Sequence, residues 1–276
     1  MEILDQYSLS WLLGLMAALL VTGAVAGVLA GLLGVGGGIV IVPVLYHLFT
    51  LLGIDESVKM HVAVGTSLAT IVPTSIMAAR SHAKRGGLDK ELLYSLGPAL
   101  LFGVLIGSLL SGYLRGTTLT AIFAVIALLV ALNMAFKPSK RFREGLPGGP
   151  FKAAIGTVIG GFSTLMGIGG GTLTVPILNA FNYPIHRAVG TASAIGLLIS
   201  IPGAIAFLLH GLQATGLPPG SLGYVNLLGF ALIVPMTLAM APYGARLAHA
   251  INADRLRQVF ALFLFLTALR MFYGLF

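Results

Sequence analysis

The sequence contains no cysteine and very little charge, and both absences narrow what the chain can be. Without cysteine there is no disulfide framework, no thiolate metal ligand and no cysteine nucleophile. Charged residues make up only 9% of the 276 residues, whereas soluble domains carry roughly one quarter. Apolar residues make up 57%, and the mean hydropathy is +1.00. These figures exclude an ordinary soluble domain and indicate an integral membrane protein.

Acidic residues are absent from the interior of every apolar segment. A carboxylate at mid-membrane is the usual element of a proton or sodium relay, so no such relay is predicted. The sequence also lacks a nucleophile with a base and an orienting group, and it lacks a two-histidine metal set with an intramembrane carboxylate. We therefore predict no enzyme activity, no metal site and no cofactor. The eight acids lie at segment ends or in loops: Glu2, Asp5, Asp55, Glu56, Asp89, Glu91, Glu144 and Asp254.

A signal peptide and a nucleic-acid surface are not predicted either. Glu2 and Asp5 stand where a signal peptide would carry basic residues, so we interpret residues 9–33 as a retained span. The net charge is +8, but the basic residues fall in short loops, where the preference of cytoplasmic loops for Lys and Arg explains them. The lipid bilayer, and not nucleic acid, is the expected large partner.

Ten apolar segments follow one another along the chain, and most are long enough to cross a hydrocarbon core of about 30 Å as helices. The strict alternation that a membrane barrel needs is absent. We therefore predict an all-α polytopic transmembrane bundle. The second and seventh segments are short and are interpreted as half-helices or re-entrant segments. The segments are 9–33, 39–52, 57–80, 91–114, 118–136, 151–166, 172–182, 187–210, 222–245 and 255–275.

The chain is internally duplicated. Residues 23–45 aligned with residues 156–178 give 11 identities in 23 positions. Further along, Val64-Gly65-Thr66 matches Val189-Gly190-Thr191 in the same order. A repeat of this kind indicates two related structural units. We predict an N-terminal transmembrane repeat (1–136), a basic cytoplasmic linker (137–150) and a C-terminal transmembrane repeat (151–276).

Loop charge predicts that the two repeats have opposite orientations in the membrane. Cytoplasmic loops collect Lys and Arg, and equivalent loops of the two halves differ in this respect. The loop after the third segment is basic while its counterpart, residues 211–220, is uncharged; the loop at Arg115 is nearly neutral while its counterpart is basic. This pattern is typical of inverted-topology repeats. The basic loop residues are Arg80, Lys84, Arg85 and Lys90 in the first half and Arg246, Arg255 and Arg257 in the second.

Two glycine runs lie at matching places, each five residues before a proline. They are Gly34-Val35-Gly36-Gly37-Gly38 before Pro43 and Gly167-Ile168-Gly169-Gly170-Gly171 before Pro176. Glycine is unfavourable inside a helix. A glycine run before a helix leaves amide N–H groups unpaired at the positive end of the helix dipole, and this arrangement binds anions. The alternative, that the glycines only permit a sharp bend and close packing, stays open.

Hydroxyl side chains near these runs complete the predicted site. Thr66 and Thr191 occupy equivalent positions after Val-Gly, Ser67 follows the first pair, and Thr172 follows the second glycine run. A hydroxyl can donate to an anion, or it can bond a carbonyl of its own helix, and the sequence does not decide between these roles. The predicted substrate-binding residues are Gly36, Gly37, Gly38, Thr66, Ser67, Gly169, Gly170, Gly171, Thr172 and Thr191.

The paired Gly-x-Gly-Gly-Gly-x4-Pro motifs, followed by Val64-Gly65-Thr66-Ser67-Leu68 and Val189-Gly190-Thr191, resemble the sulfite exporter TauE/SafE family. The resemblance covers nearly the whole chain. It implies a multi-pass transporter of the bacterial inner membrane that exports sulfite or sulfonates such as sulfoacetate. Ala192 stands opposite Ser67, so the two sides of a site are expected to be unequal.

Other interpretations of the sequence stay open. A passive anion channel and a carrier for another small solute are the alternatives within transport, whereas an intramembrane hydrolase is disfavoured because its catalytic groups are missing. The sequence does not define the coupling ion, the direction of transport or the oligomeric state, a homo-oligomer included.

Overall fold

The computed structural model describes residues 8–136, 146, 148–247 and 253–274. The predicted linker residues 137–145 and 147 lie outside the described residues, as do 1–7, 248–252 and 275–276. Within the described part, the chain forms ten helices and one short antiparallel hairpin. In chain order these are α1 Leu9–Leu33, α2 Gly38–Leu51, α3 Glu56–Ala83, α4 Lys90–Ser111, α5 Gly116–Ala135, α6 Pro150–Met166, α7 Gly171–Ala180, α8 Ile185–His210, β1 Ser221–Leu222, β2 Val225–Asn226, α9 Leu227–Leu247 and α10 Ala253–Tyr273.

Six of these helices, α1, α3, α4, α5, α8 and α9, are long and apolar enough to cross a membrane. The short helices α2 and α7 have 14 and 10 residues, which corresponds to about 21 Å and 15 Å at the helical rise of about 1.5 Å per residue. Neither can cross a core of about 30 Å. The predicted all-α polytopic bundle is confirmed, and the chain is a multi-pass membrane protein.

One predicted boundary is wrong. The sequence predicts an apolar helix from residue 222, but residues 221–226 form the hairpin, in which Leu222 pairs with Val225. Gly223 has φ +55 at the turn, and this left-handed conformation ends any helix there. The helix α9 begins after Asn226, whose Oδ1 accepts a hydrogen bond from the amide of Gly229 at 2.8 Å. A side-chain cap of this type marks a helix start.

Aspartate side chains cap the N-termini of two of the long helices. Before α3, Asp55 accepts a hydrogen bond from the amide of Ser57 at 2.8 Å. Before α4, Asp89 Oδ1 accepts one from the amide of Leu92 at 3.0 Å. A negative cap satisfies orphan amides and also stabilises the positive end of the helix dipole. These acids therefore belong at the helix ends, where the membrane surface leaves them hydrated.

Helix packing relates the two halves of the chain. The helix α1 packs along α9, and its sequence equivalent α6 packs along α4. An ideal β-carbon on Gly27 in α1 would lie 2.7 Å from the carbonyl oxygen of Thr237, and one on the equivalent Gly160 in α6 would overlap the carbonyl oxygen of Leu100. Small residues thus let the backbones approach in both pairs. Two other extensively packed pairs, α3 with α8 and α5 with α10, join a helix to its own equivalent.

The helix ends form two opposite faces of the bundle. The hairpin face contains β1 and β2, where the ring of Tyr224 lies 4.9 Å from that of His61 near the start of α3. The linker face contains the starts of α4, α6 and α8, where Tyr183 contacts Asp89. Most described basic residues lie on the linker face: Arg80, Lys84, Arg85, Lys90, Lys152, Arg187 and Arg246.

Candidate functional site

The two glycine loops, residues 34–38 and 167–171, contact each other inside the bundle, and all of their residues are buried. An ideal β-carbon on Gly36 would lie 3.2 Å from the α-carbon of Gly169, and one on Gly169 would lie 3.1 Å from the α-carbon of Gly36. Equivalent residues of the two repeats therefore face each other. We call this contact the loop crossing.

The neighbouring contacts of the loop crossing are reciprocal as well. A β-carbon on Gly38 would overlap the carbonyl oxygen of Gly167, and one on the equivalent Gly171 would overlap the carbonyl oxygen of Gly34. Any larger residue at these positions would collide with the opposite backbone. Close packing is thus one reason for the glycines, as the alternative interpretation of the motif proposed.

The two loops differ in backbone conformation. In the first loop Gly34, Gly36 and Gly37 have φ values of +67°, +73° and +78°. In the second loop only Gly167 has a positive φ, of +65°, while Gly170 is helical with φ −54°. The crossing is therefore reciprocal in its contacts but unequal in its backbone geometry.

The loop crossing leaves the amides at the end of each glycine loop unpaired, because the loops meet through α-carbons and carbonyl oxygens. Both sets of amides lie at the start of a half-helix, α2 or α7, where orphan N–H groups and the helix dipole together favour negative charge. Within the described part of the chain, no hydrogen bond is donated by the amides of Gly36, Gly37, Gly38 and Ile39, or by those of Gly169, Gly170, Gly171 and Thr172.

Thr172 is the predicted site residue whose hydroxyl has no protein partner. The residue is 3% exposed, and its Oγ1 forms no hydrogen bond with any described residue. Thr174, in the same half-helix, is fully buried and is also unpartnered. A buried polar group without a partner costs about 1–3 kcal/mol. Such groups in native structures call for an explanation, and binding of a ligand is one.

Four serines that the predicted site omits also carry buried hydroxyls with no partner among the described residues: Ser75, Ser108, Ser163 and Ser200. Ser75 in α3 and Ser200 in α8 are buried, and neither Oγ is bonded to a described residue. Ser75 Oγ would lie 2.8 Å from a β-carbon on Gly196, which in turn would lie 3.5 Å from the amide nitrogen of Gly170. Gly196 of α8 therefore lies beside both Ser75 and the second glycine loop. Ser75 and Ser200 occupy equivalent positions in the two repeats, and this equivalence is visible in the sequence.

Ser67 lies beside the loop crossing, and its hydroxyl has a structural partner. Its Oγ donates a hydrogen bond to the carbonyl oxygen of Gly167 at 2.6 Å. This bond fixes the second glycine loop against α3. The equivalent residue of the other repeat is Ala192, so the first glycine loop has no matching bond from α8.

The hydroxyls of Thr66 and Thr191 hold helix starts from the opposite half of the chain. Thr66 Oγ1 accepts a hydrogen bond from the amide of Asn226 at 2.8 Å. Thr191 Oγ1 accepts one from the amide of Asp89 at 2.9 Å. Asn226 and Asp89 are the residues before α9 and α4. The structure thus gives both hydroxyls a bond at the helix starts, one on the hairpin face and one on the linker face.

The glycines that precede these threonines let the backbone of the opposite half come into close contact. A β-carbon on Gly65 would overlap the carbonyl oxygen of Tyr224, and one on Gly190 would overlap the carbonyl oxygen of Gly87. The Val-Gly-Thr repeat therefore joins the halves to each other. In each case the glycine admits the backbone of the other half, and the threonine bonds a residue two positions further on.

Asp89 has two further partners on the linker face. The hydroxyl of Tyr183 donates a hydrogen bond to Asp89 Oδ2, and Arg187 Nη1 lies 3.9 Å from the same oxygen. The hydrogen bonds from the Leu92 amide and from Tyr183 hold the pKa of the Asp89 carboxyl below its usual range. Burial, and then the bond to Asp89, raise the pKa of Tyr183. Asp89 is therefore a charged connection between α4 and the loop before α8.

The buried histidines of α3 bind backbone carbonyls at the helix ends. His61 Nε2 lies 3.1 Å from the carbonyl oxygen of Leu114, and His82 Nε2 lies 3.1 Å from that of Gly31. Among the described residues, no group of three or more His, Asp or Glu side chains could hold a metal ion.

Six apolar spans with two half-helices that start at a shared crossing define the architecture of a polytopic membrane transporter. The sequence profile described as Sulfite exporter TauE/SafE matches residues 19–271. The chain belongs to this family, and the resemblance found in its motifs is confirmed.

The relatives are named as transporters. The chain is similar to a probable membrane transporter protein of Haemophilus influenzae, with 36% identity over 254 residues, which cover 92% of this chain and 96% of the relative. It is 32% identical to one of Methanocaldococcus jannaschii, over 86% of each chain. It is 31% identical to one of Bacillus subtilis, over 74% of this chain and 83% of the relative. No solved structure matches the chain.

Proposed function

We propose that this transporter exports small sulfur oxyanions, sulfite and sulfonates such as sulfoacetate, through a site at the loop crossing. The observation that carries the proposal is the set of unpaired amides in both glycine loops together with the unpartnered hydroxyl of Thr172. A sulfur oxyanion presents several acceptor oxygens. These oxygens complement a group of N–H and O–H donors at the starts of two helices.

The proposed site binds charge without a fixed countercharge. The buried Lys59 lies toward the hairpin face, where it pairs with Glu56 and its Nζ lies 4.6 Å from the ring centroid of Tyr46. Each half-helix contributes the equivalent of about half a positive charge at its start. A transport site must bind its ion strongly enough for entry and weakly enough for release, and neutral donors suit that requirement.

We further propose that the two halves are inverted-topology repeats and that the linker face is cytoplasmic. The reciprocal pairs support the first point, since Thr66 bonds Asn226 on the hairpin face and Thr191 bonds Asp89 on the linker face. The basic residues of the linker face support the second. In this arrangement the site lies at the interface between the repeats, where such transporters bind their substrates.

Export is proposed to be driven by the membrane potential. An anion that leaves a cell with a negative interior gains about 2.3 kcal/mol per charge for each 100 mV. The acids of the described helices and caps, Asp55, Glu56, Asp89, Glu91 and Asp254, lie at helix ends, so they offer no proton relay through the bundle.

The proposal is tested by flux measurements in proteoliposomes. Vesicles loaded with sulfite are given an imposed potential, with and without a pH gradient, and sulfoacetate is added as a competitor. We expect saturable efflux that follows the potential and is inhibited by sulfoacetate. Efflux that follows the pH gradient and ignores the potential would contradict potential-driven export. Efflux that does not saturate would support a passive channel instead.

A further inference from the structure

An open groove of about 560 Å³ lies between α4 and α6 at the linker face, away from the loop crossing. Its lining includes the small residues Ala99, Gly149 and Ala153, together with Ser95, Lys152 and Phe102. The two helices run in the same direction here, and both begin at the linker face. The groove therefore lies where the membrane interior meets the polar surface.

Lys152 is the charged residue of the groove. Its Nζ lies 3.3 Å from Ser95 Oγ, and no carboxylate of the described chain lies within ion-pair distance of it. An ammonium group has three N–H donors, so a single bond to a hydroxyl leaves it able to bind an anion. Glu91 lies one helical turn before Ser95 but does not pair with Lys152.

An exposed apolar surface continues from the groove along both helices. On α4 it comprises Phe102, Leu105 and Leu109, and on α6 it comprises Val158 and Phe162. These residues follow helical spacing, so they form one strip on each helix that faces the lipid. A molecule with a charged head and apolar chains would fit the groove and this strip together.

The equivalent position in the other half lacks the charge. In the alignment of residues 23–45 with 156–178, extended toward the N-terminus, Leu19 stands where Lys152 does. Leu19 is buried between its neighbours. The cationic groove is therefore a feature of the linker face alone, which also carries most of the described basic residues. Anionic lipids are concentrated in the cytoplasmic leaflet of membranes.

We propose that this groove binds the phosphate headgroup of an anionic phospholipid, with Lys152 as the principal contact and the acyl chains along α4 and α6. Basic pockets between membrane helices recognise such headgroups through charge, while the chains add apolar burial. The proposal is independent of the substrate carried at the loop crossing.

Native mass spectrometry of the purified full-length protein tests the proposal. The protein is equilibrated with equal amounts of phosphatidylglycerol and phosphatidylcholine that have the same acyl chains. We expect bound phosphatidylglycerol to exceed phosphatidylcholine, and Lys152→Gln to lower its affinity by about five-fold, which is the usual effect of one basic residue. Lys152→Arg should retain binding. Lys84→Gln, which removes an exposed charge on the same face, is the matched control and should have no effect.

A second variant distinguishes the contribution of the groove to lipid binding from that of the Lys152 charge. Ala153→Phe fills the groove and keeps Lys152, and it should lower phosphatidylglycerol binding as well. Equal binding by wild type and Lys152→Gln would overturn the proposal, and so would an equal loss in Lys84→Gln. Displacement of the lipid by millimolar inorganic phosphate would identify a free-phosphate site instead. Loss of a dimer mass in Ala153→Phe without lipid would show that a second copy of the chain occupies the groove.

Discussion

Replacing Thr172 by valine separates the two explanations of the glycine loops. Valine has nearly the shape of threonine, so Thr172→Val removes the hydroxyl and leaves the packing of α7 in place. Because Thr172 is 3% exposed and its Oγ1 has no partner among the described residues, the protein loses no internal hydrogen bond. Removing a buried unpaired hydroxyl relieves a cost of about 1–3 kcal/mol. The free energy of unfolding should therefore stay constant or rise by about 1 kcal/mol.

Transport should respond in the opposite way. A hydrogen bond to a charged ligand contributes about 1.5–3 kcal/mol, which corresponds to roughly a 10- to 150-fold change in affinity. We expect Thr172→Val to raise the KM for sulfite efflux from proteoliposomes by at least about ten-fold. Thr172→Ser, which keeps the hydroxyl, should restore most of the affinity.

Unfolding and efflux measurements on Thr172→Val can also contradict the proposed role of the hydroxyl. If Thr172→Val is as stable as wild type and transports sulfite with an unchanged KM, the hydroxyl is not a substrate donor. If the variant is strongly destabilised, the hydroxyl has a structural partner and the reasoning from its burial is wrong. Substituting Gly37 would be less informative, because its φ of +78° and the Ala26 carbonyl oxygen 2.9 Å from an added β-carbon would disturb folding itself.

Three further predictions concern stability. Gly36→Ala should lower the midpoint of thermal unfolding in detergent, because φ is +73° and Gly169 is in contact. Gly14→Ala, a helical position with open space around it, should leave the midpoint unchanged or raise it slightly; equal midpoints for Gly36→Ala and wild type would contradict the crossing. Thr191→Val should cost about 1–3 kcal/mol in chemical unfolding by leaving the Asp89 amide unpaired, and an unchanged stability would contradict this bond. The lowered pKa of Asp89 adds stability above its unfolded-state pKa that is lost as pH falls through the folded-state value; Asp89→Asn should therefore reduce the loss of thermal stability between pH 7 and pH 3, and an identical pH profile would contradict the connection.

The repeated glycine runs and the short apolar segments were sufficient to predict two half-helices that begin at related loops. Duplication in the sequence implies equivalent positions in space, and the predicted inversion would place the loops Gly34–Gly38 and Gly167–Gly171 opposite each other. What the runs could not indicate is how the loops meet. Whether a glycine faces a ligand or a backbone depends on a chain segment more than one hundred positions away.

The hydrogen bonds of Thr66 and Thr191 also could not be predicted from the sequence. Their equivalence was visible in the sequence, but their hydrogen-bond partners are 160 and 102 positions distant. A repeated motif indicates a repeated environment without identifying it. The hairpin at residues 221–226 was also not predicted, because its apolar residues continue the hydropathy of the helix that follows.

The central claim is that a small oxyanion binds the bare amides of the loop crossing. Anomalous diffraction from crystals grown with selenite, a heavier analogue of sulfite, tests it most directly. We predict one selenium peak between the two glycine loops, with oxygens within hydrogen-bond distance of the Gly170 and Thr172 amides and of Thr172 Oγ1. A selenium peak elsewhere in the bundle, with the loops still in contact as described, would contradict the account.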